Sequence, residues 1–491
     1  MTMTKKKPSL FEALIPVLFL IGMLAFNILY VFGDAALDGS NQIILILSAT
    51  VATLVAFRLG HTWAELQKGI ISSINSAMPS ILILLMIGAL AGSWLISGII
   101  PSMIYYGLDL LNPTIFLVAS CVISAIVSLA TGSSWTTIAT IGVALLGIGK
   151  ALGVPEGMVA GAIISGAYFG DKMSPMSDTT NLAPAMAGTD LFTHIKYMTK
   201  TTVPTFVITI VIFIVLGFTF DSSGNADVSM LQSAISEKFN ITPVLFLVPI
   251  FLLVLIIKKM PALPSLLLAA IAGSVFALIF QPEVVKGIGG ESSSLAITYF
   301  KGLMSPLFQS TSIVTSNSEV NELLSSSGMS GMLNTIWLIL CAMIFGGVME
   351  SAGLLERITQ SIIRLAHSTG SLIASTVGTC VVFNVTASDQ YLAIVVPGRM
   401  YADTFRNRNL KPEVLSRSLE DAGTVTSVLI PWNTCGAYQA SVLGVATMAY
   451  APYCFFNLLS PIVNIIFGYI FVKPEPIVEG NELNKEEVSL G

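Results

Sequence analysis

The chain has 491 residues, of which 54% are hydrophobic and only 10% charged, and its mean hydropathy is +0.83. So few charges cannot cover a water-soluble globule of this size, and apolar runs repeatedly reach the roughly 20 residues that cross a bilayer. The net charge is −5 and the basic residues are scattered through loops, which excludes a nucleic-acid footprint.

In chain order, Lys5, Lys6 and Lys7 lead into an apolar run over 11–32. It is longer than the hydrophobic region of a signal peptide and lacks an A-x-A cleavage site, so a retained first span is expected. Further spans are expected over 41–57, 74–96, 203–220, 241–257, 263–280, 333–348 and 452–472. Two apolar stretches, 112–150 and 371–397, are interrupted by the polar runs Thr131-Gly132-Ser133-Ser134 and Asn384-Val385-Thr386-Ala387-Ser388-Asp389-Gln390. Each reads as a re-entrant hairpin with its tip near mid-membrane. Stretches 155–189 and 412–445 are apolar at both ends and polar in the middle, as expected of broken spanning helices whose unwound backbone is satisfied by protein or water.

With the N-terminus in the cytoplasm, 17 of the 23 basic residues fall on cytoplasmic segments. Lys150, Lys238, Lys286 and Lys301 fall outside, and Lys172 and Arg417 lie within the membrane, the asymmetry that the positive-inside rule describes. The chain also repeats itself. Ser97-Gly98-Ile99-Ile100 matches Ala352-Gly353-Leu354-Leu355, and Thr131-Gly132-Ser133 matches Thr386-Ala387-Ser388, both at an offset of 255. Lys68-Gly69 matches Lys301-Gly302 at 233, which gives the second half about 22 extra residues before Leu333. The expected layout is a cytoplasmic segment 1–10, a first repeat 11–222 with five spans and the hairpin 112–150, and an extracellular linker 223–240. A second repeat 241–472 with five spans and the hairpin 371–397 follows, then a cytoplasmic tail 473–491. An odd number of crossings inverts the second repeat, giving an all-α integral membrane transporter with re-entrant hairpins and two broken transmembrane helices.

Ionisable groups at membrane depth mark functional sites. The run Gly170 to Asn181 holds Asp171, Lys172, Ser174, Ser177, Asp178, Thr179, Thr180 and Asn181. The first half-helix is expected to end at Gly170, with Pro175 blocking its continuation and the next half-helix starting at 178–181. Exposed carbonyls and these side-chain oxygens suit an alkali cation. Asp178 is expected to hold sodium or a proton, so that the two compete, while Lys172 neutralises one of the aspartates when no cation is present. In the second half Asp389 stands at a polar hairpin tip with no evident packing role, Arg417 and Asp421 are i,i+4 neighbours, and Glu420 points elsewhere. A second set of candidates, for an organic substrate or a second ion, is Thr131, Ser133, Ser134, Trp135, Thr386, Ser388, Glu420, Asp421, Trp432, Asn433 and Thr434 with Lys172. Trp135 and Trp432 flank polar breaks and are expected to line the site, whereas Trp63, Trp94 and Trp337 are expected as interfacial anchors. His61, His194 and His367 are expected in cytoplasmic loops as solvated or interfacial residues, too dispersed for a metal site. The five cysteines, Cys121, Cys341, Cys380, Cys435 and Cys454, read as small buried apolar residues.

The run GDKMSPMSDTTNLA over 170–183 resembles the signature of the NhaC-type sodium/proton antiporter family, which also includes exchangers of malate for lactate. The runs over 384–397, NVTASDQYLAIVVP, and over 412–436 are similar to that family as well. The resemblance implies an ion-coupled antiporter of a bacterial-type cytoplasmic membrane with inverted repeats and hairpins. It marks Asp171, Ser174, Ser177, Asp178, Thr179, Asn181 and Asp389 as ion or proton ligands. The expected activity is sodium efflux against proton entry, with coupled movement of a small organic anion or amino acid as the alternative. No cofactor is expected beyond the sodium ion, and a homodimer is expected by analogy alone. An enzyme is disfavoured because no H-E-x-x-H or G-x-S-x-G occurs, and a channel because paired broken helices are a transporter feature.

Overall fold

The computed structural model describes residues 5–32, 39–110, 113–219 and 228–474. The first four residues, the start of the expected linker at 223–227 and the tail from 475 lie outside the described residues. Among those described, nine helices are long and apolar enough to cross a membrane, and two bent pairs add up to two more spans. The bends are 82° between Ser229–Lys238 and Pro243–Ile257 and 54° between Thr447–Tyr453 and Phe455–Ile470. Every expected span has a helix, but two run well beyond their apolar stretch. The span expected over 74–96 is the helix Trp63–Ile96 of 34 residues, because Thr62 and Glu65 form a capping box that starts it in polar sequence. The span expected from 203 begins at Leu191. Trp94 is not an interfacial anchor: it is buried, and its indole N–H donates to Ala269 O at 3.4 Å.

The two halves repeat backbone conformation at their turns. Of the 13 described residues with positive φ, eight form four pairs 255 or 256 positions apart: Gly98 with Gly353, Gly132 with Ser388, Gly153 with Asn409, and Gly188 with Gly444. The local bonding repeats too. Gly153 N donates to Lys150 O and Val154 N to Gly149 O, as Asn409 N donates to Arg406 O and Leu410 N to Phe405 O. Each hairpin turns at a left-handed residue followed by a capping side chain, Ser133 in one half and Asp389 in the other. Each broken span resumes at a cap as well, Ser177 for Asp178–Ala187 and Asn433 for Thr434–Leu443.

Long helices from the two halves cross where glycine lets backbones meet. A Cβ on Gly347 would lie 2.8 Å from Ile70 Cα, and one on Gly92 would lie 1.9 Å from Pro306 O. The second half departs from the first most visibly at one place. Where the first half has the single helix Trp63–Ile96, the second has Leu295–Phe308, a short two-stranded ribbon pairing Thr311–Ser312 with Ser325–Ser326, and then Gly328–Ser351. The ribbon segment is folded onto the bundle through Ile313, Val320 and Leu324, which are buried with Leu231 and Ile235.

Gly92→Ala forces the crossing apart and should cost about 1–3 kcal/mol, seen as a lower midpoint of heat inactivation in detergent. Gly22→Ala, where a Cβ meets nothing within 4 Å, should leave that midpoint unchanged or slightly higher.

Candidate ion site at the first helix break

The first broken span is helical over Glu156–Met173 and again over Asp178–Ala187. The first half-helix therefore runs three residues past Gly170. It stops because Pro175 offers no N–H, and the chain turns on its own side chains. Ser174 Oγ accepts from Met176 N at 3.3 Å, Thr180 Oγ1 donates to Lys172 O at 3.1 Å, and Asn181 Nδ2 donates to Pro175 O at 3.0 Å and Ser177 O at 2.6 Å. Ser177, not Asp178, caps the second half-helix. Several oxygens expected as cation donors thus hold the loop's shape, and Asp178 is left exposed.

Asp178 and Asp171 line a cavity of about 900 Å³ together with Ser133, Trp135, Asn181 and Tyr391. Thr131, Ser76, Ser80 and, at the turn between two spans, Lys259 also reach it. Asp171 is buried, 7% exposed; its Oδ2 accepts from Ser134 N at 3.0 Å and Ser134 Oγ at 2.6 Å, while its buried Oδ1 has no hydrogen-bond partner among the described residues. The first hairpin tip is thereby tied to the first break. Tyr391, from the second hairpin, donates its hydroxyl to Asp178 Oδ2 at 2.5 Å. Two acids from one break, one bonded within its own half and one across to the other, face a single opening.

The second break and second hairpin are tied in the same way but closed off. Thr434 N donates to Ser388 O at 2.9 Å, Trp432 Nε1 to Val385 O at 2.8 Å, and Asn433 Nδ2 to Asn384 O at 3.0 Å. Thr386 Oγ1 bonds its own helix at Val382 O. Trp432 is absent from the cavity wall, in contrast to expectation, because its indole is spent on this closure. Asp389 does have a packing role: its Oδ1 accepts from Tyr391 N at 2.9 Å and Leu392 N at 3.0 Å, capping the helix after the tip, and the residue is 1% exposed.

Comparison with known proteins agrees with this architecture. Residues 166–471 match the Na+/H+ antiporter family. A Na(+)/H(+) antiporter NhaC of Alkalihalophilus pseudofirmus is 36% identical over 426 residues, 87% of this chain and 89% of that one. The chain belongs to the Na+/H+ antiporter family. A malate-2H(+)/Na(+)-lactate antiporter of Bacillus subtilis is 34% identical, covering 94% of this chain and 95% of its own. An arginine/ornithine antiporter, ArcD, of Halobacterium salinarum is 35% identical over 95% of this chain and 93% of its own.

Behind the cavity this family member buries a second set of charges. Lys172, fully buried, pairs with Asp421 rather than with either aspartate of the break. Ser460 Oγ at 3.2 Å and Thr201 Oγ1 at 3.0 Å also donate to Asp421, so both its oxygens are engaged. Arg417 Nε lies 3.8 Å from Asp421 Oδ2 but donates to Asn464 Oδ1 at 3.0 Å, and its guanidinium lies over Tyr197 and Phe467 at 4.9 and 4.5 Å. Glu420 points elsewhere than Asp421, toward the break: its Oε1 accepts from Thr179 Oγ1 at 3.0 Å. A π-helical turn spans Glu420–Thr424, and the stretch 414–428 is buried on every side, so two successive acids are both interior. His194 is likewise no loop residue. It is buried in Leu191–Thr219, with Nδ1 2.7 Å from Ser416 Oγ.

Two cations and two acids balance in this cluster, so removing one member leaves an uncompensated buried charge. Lys172→Met or Asp421→Asn alone should cost about 3–5 kcal/mol and lower the thermal midpoint of the purified protein. The double change Lys172→Met, Asp421→Leu should recover most of the loss in the same measurement.

Proposed function

We propose that the protein exchanges sodium for protons across the cytoplasmic membrane by alternating access, with Asp178 as the carboxylate that carries either ion. The observation that carries this reading is the cavity at the first break, where Asp178 and Asp171 face one opening and hairpin tips from both halves close around it. Asp178 is the acid open to solution and offers a hard oxygen for sodium. Asn181 has its amide nitrogen engaged by two carbonyls, so the carbonyl oxygen of that side chain is the part available to a cation. Asp171 has one buried oxygen without a partner among the described residues and adds negative potential. One carboxylate that binds either ion makes the two compete, which is the requirement for exchange.

In this reading the break is fixed from behind by Thr179 on Glu420 and by Lys172 on Asp421, so the cation site is positioned by both halves. Lys172 is the anchor of the cluster, and neutralisation of the empty site falls to other groups. The halves are the segments 11–222 and 241–472 in opposite orientation, with both termini cytoplasmic, and the cavity opens inward past Lys259 on the basic turn between Pro243–Ile257 and Ala262–Phe280.

One observation favours a second reading. A cavity of about 900 Å³ far exceeds a sodium ion with a few waters, each taking about 30 Å³. Its wall carries the rings of Trp135 and Tyr391 and the amine of Lys259. A small organic anion or amino acid, exchanged with sodium or protons, fits that wall, and the relatives named for malate, lactate, arginine and ornithine are of this kind.

Proteoliposomes separate the two. An imposed sodium gradient should shift internal pH with no organic solute present. A shift that needs malate, lactate or an amino acid would select the second reading. Asp178→Asn should reduce the sodium-driven pH change to that of empty liposomes while the purified protein keeps its elution profile; full exchange in that variant removes Asp178 from its role.

A further inference from the structure

Tyr391 stands two residues after the cap of the second hairpin, the position that Trp135 holds after the first, 256 residues earlier. Both reach across to the half-helix that follows the opposite break. Trp135 stacks on Tyr438 with ring centroids 3.9 Å apart, and its carbonyl accepts from Tyr438 O–H at 3.1 Å. Tyr391 donates to Asp178 Oδ2 at 2.5 Å. The two links end on different chemistry. The first ends on a ring and a peptide carbonyl, which carry no cargo, and the second on the carboxylate that opens to the cavity.

Asp178 has its other oxygen engaged as well, since Oδ1 accepts from Thr179 N at 2.9 Å. A cation arriving at this carboxylate must therefore share or displace the Tyr391 hydroxyl. A hydroxyl donating to a bare carboxylate makes a strong, charge-assisted bond, and that bond weakens once a cation shares the oxygen.

We infer that the Tyr391 hydroxyl is a latch on the unloaded carrier: it ties the second hairpin to Asp178 while that carboxylate is empty and releases it when cargo binds. The inference rests on the reading of Asp178 as the cargo site. An exchanger loses its coupling if it can return empty across the membrane, and this bond is strongest in the empty state. Hydrogen bonds to charged groups are strong enough that deleting this one should speed the empty return about 10-fold or more. Tyr391 is a positioning residue, acting through Asp178.

The test is Tyr391→Phe in proteoliposomes, with internal pH and labelled sodium followed together at a clamped membrane potential. Wild type should take up protons in fixed proportion to sodium released. In the variant, sodium-for-sodium exchange, which needs no empty return, should fall less than coupled exchange, and its protons per sodium should fall by about threefold or more. An unchanged ratio in the variant, with coupled wild type, overturns the latch and leaves the exchange reading standing; an uncoupled wild type overturns both. A second measurement needs no variant. Hydrogen exchange over residues 387–392 of the wild type should quicken when sodium replaces choline at one pH, and unchanged or slower exchange overturns the latch even if Tyr391→Phe fails to accumulate.

Discussion

The structure turns on one constraint: an interrupted helix at membrane depth leaves peptide groups that lipid cannot satisfy. At both breaks a hairpin tip from the same half is tied to the interrupted span, while the first loop's own side chains satisfy its peptide groups. Ser134 bonds to Asp171 at the first break, and Ser388 O accepts from Thr434 N at the second. The polar residues that look from sequence like a ring of ion ligands are in large part the means by which the loop is tolerated at all. At the first break Asp171 Oδ1, with no hydrogen-bond partner among the described residues, and the exposed carboxylate of Asp178 make up the proposed site.

The two halves have diverged in what they do with the same frame. The second break is sealed by Trp432, Asn433 and Asn384, and its acid Asp389 is consumed as a helix cap. The first is open, and the second half contributes to it from a distance through Tyr391, Thr179's partner Glu420, and Asp421 on Lys172. Buried ion pairs contribute little net stability, but once present they fix register, because any other arrangement strands a charge. Lys172 and Asp421 do that here for two segments 249 residues apart.

Hydropathy and punctuation made most of the helix plan legible, and the offset near 255 made the repeat legible, down to left-handed positions such as Gly98 and Gly353. The extent of Trp63–Ile96 was hidden because its first turns are polar and only the Thr62 cap announces them. Pairing was hidden as well. Lys172 has Asp171 and Asp178 in its own motif and Asp389, Glu420 and Asp421 in the opposite half, and nothing local says that Asp421 wins. Glu420 stands on another face from Asp421, and nothing local names Thr179 as its partner. His194 looked solvated because the apolar run begins after it. Tyr391 did leave a trace: it is the positional twin of Trp135, which had drawn notice for flanking a polar tip.

The ribbon between Leu295–Phe308 and Gly328–Ser351 has no counterpart in the first half. Ile313, Val320 and Leu324, buried with Leu231 and Ile235, tie it to the helix Ser229–Lys238 at the junction of the halves. Under the alternating-access reading proposed above, a contact that one half makes and the other lacks gives the inward-facing and outward-facing forms different free energies.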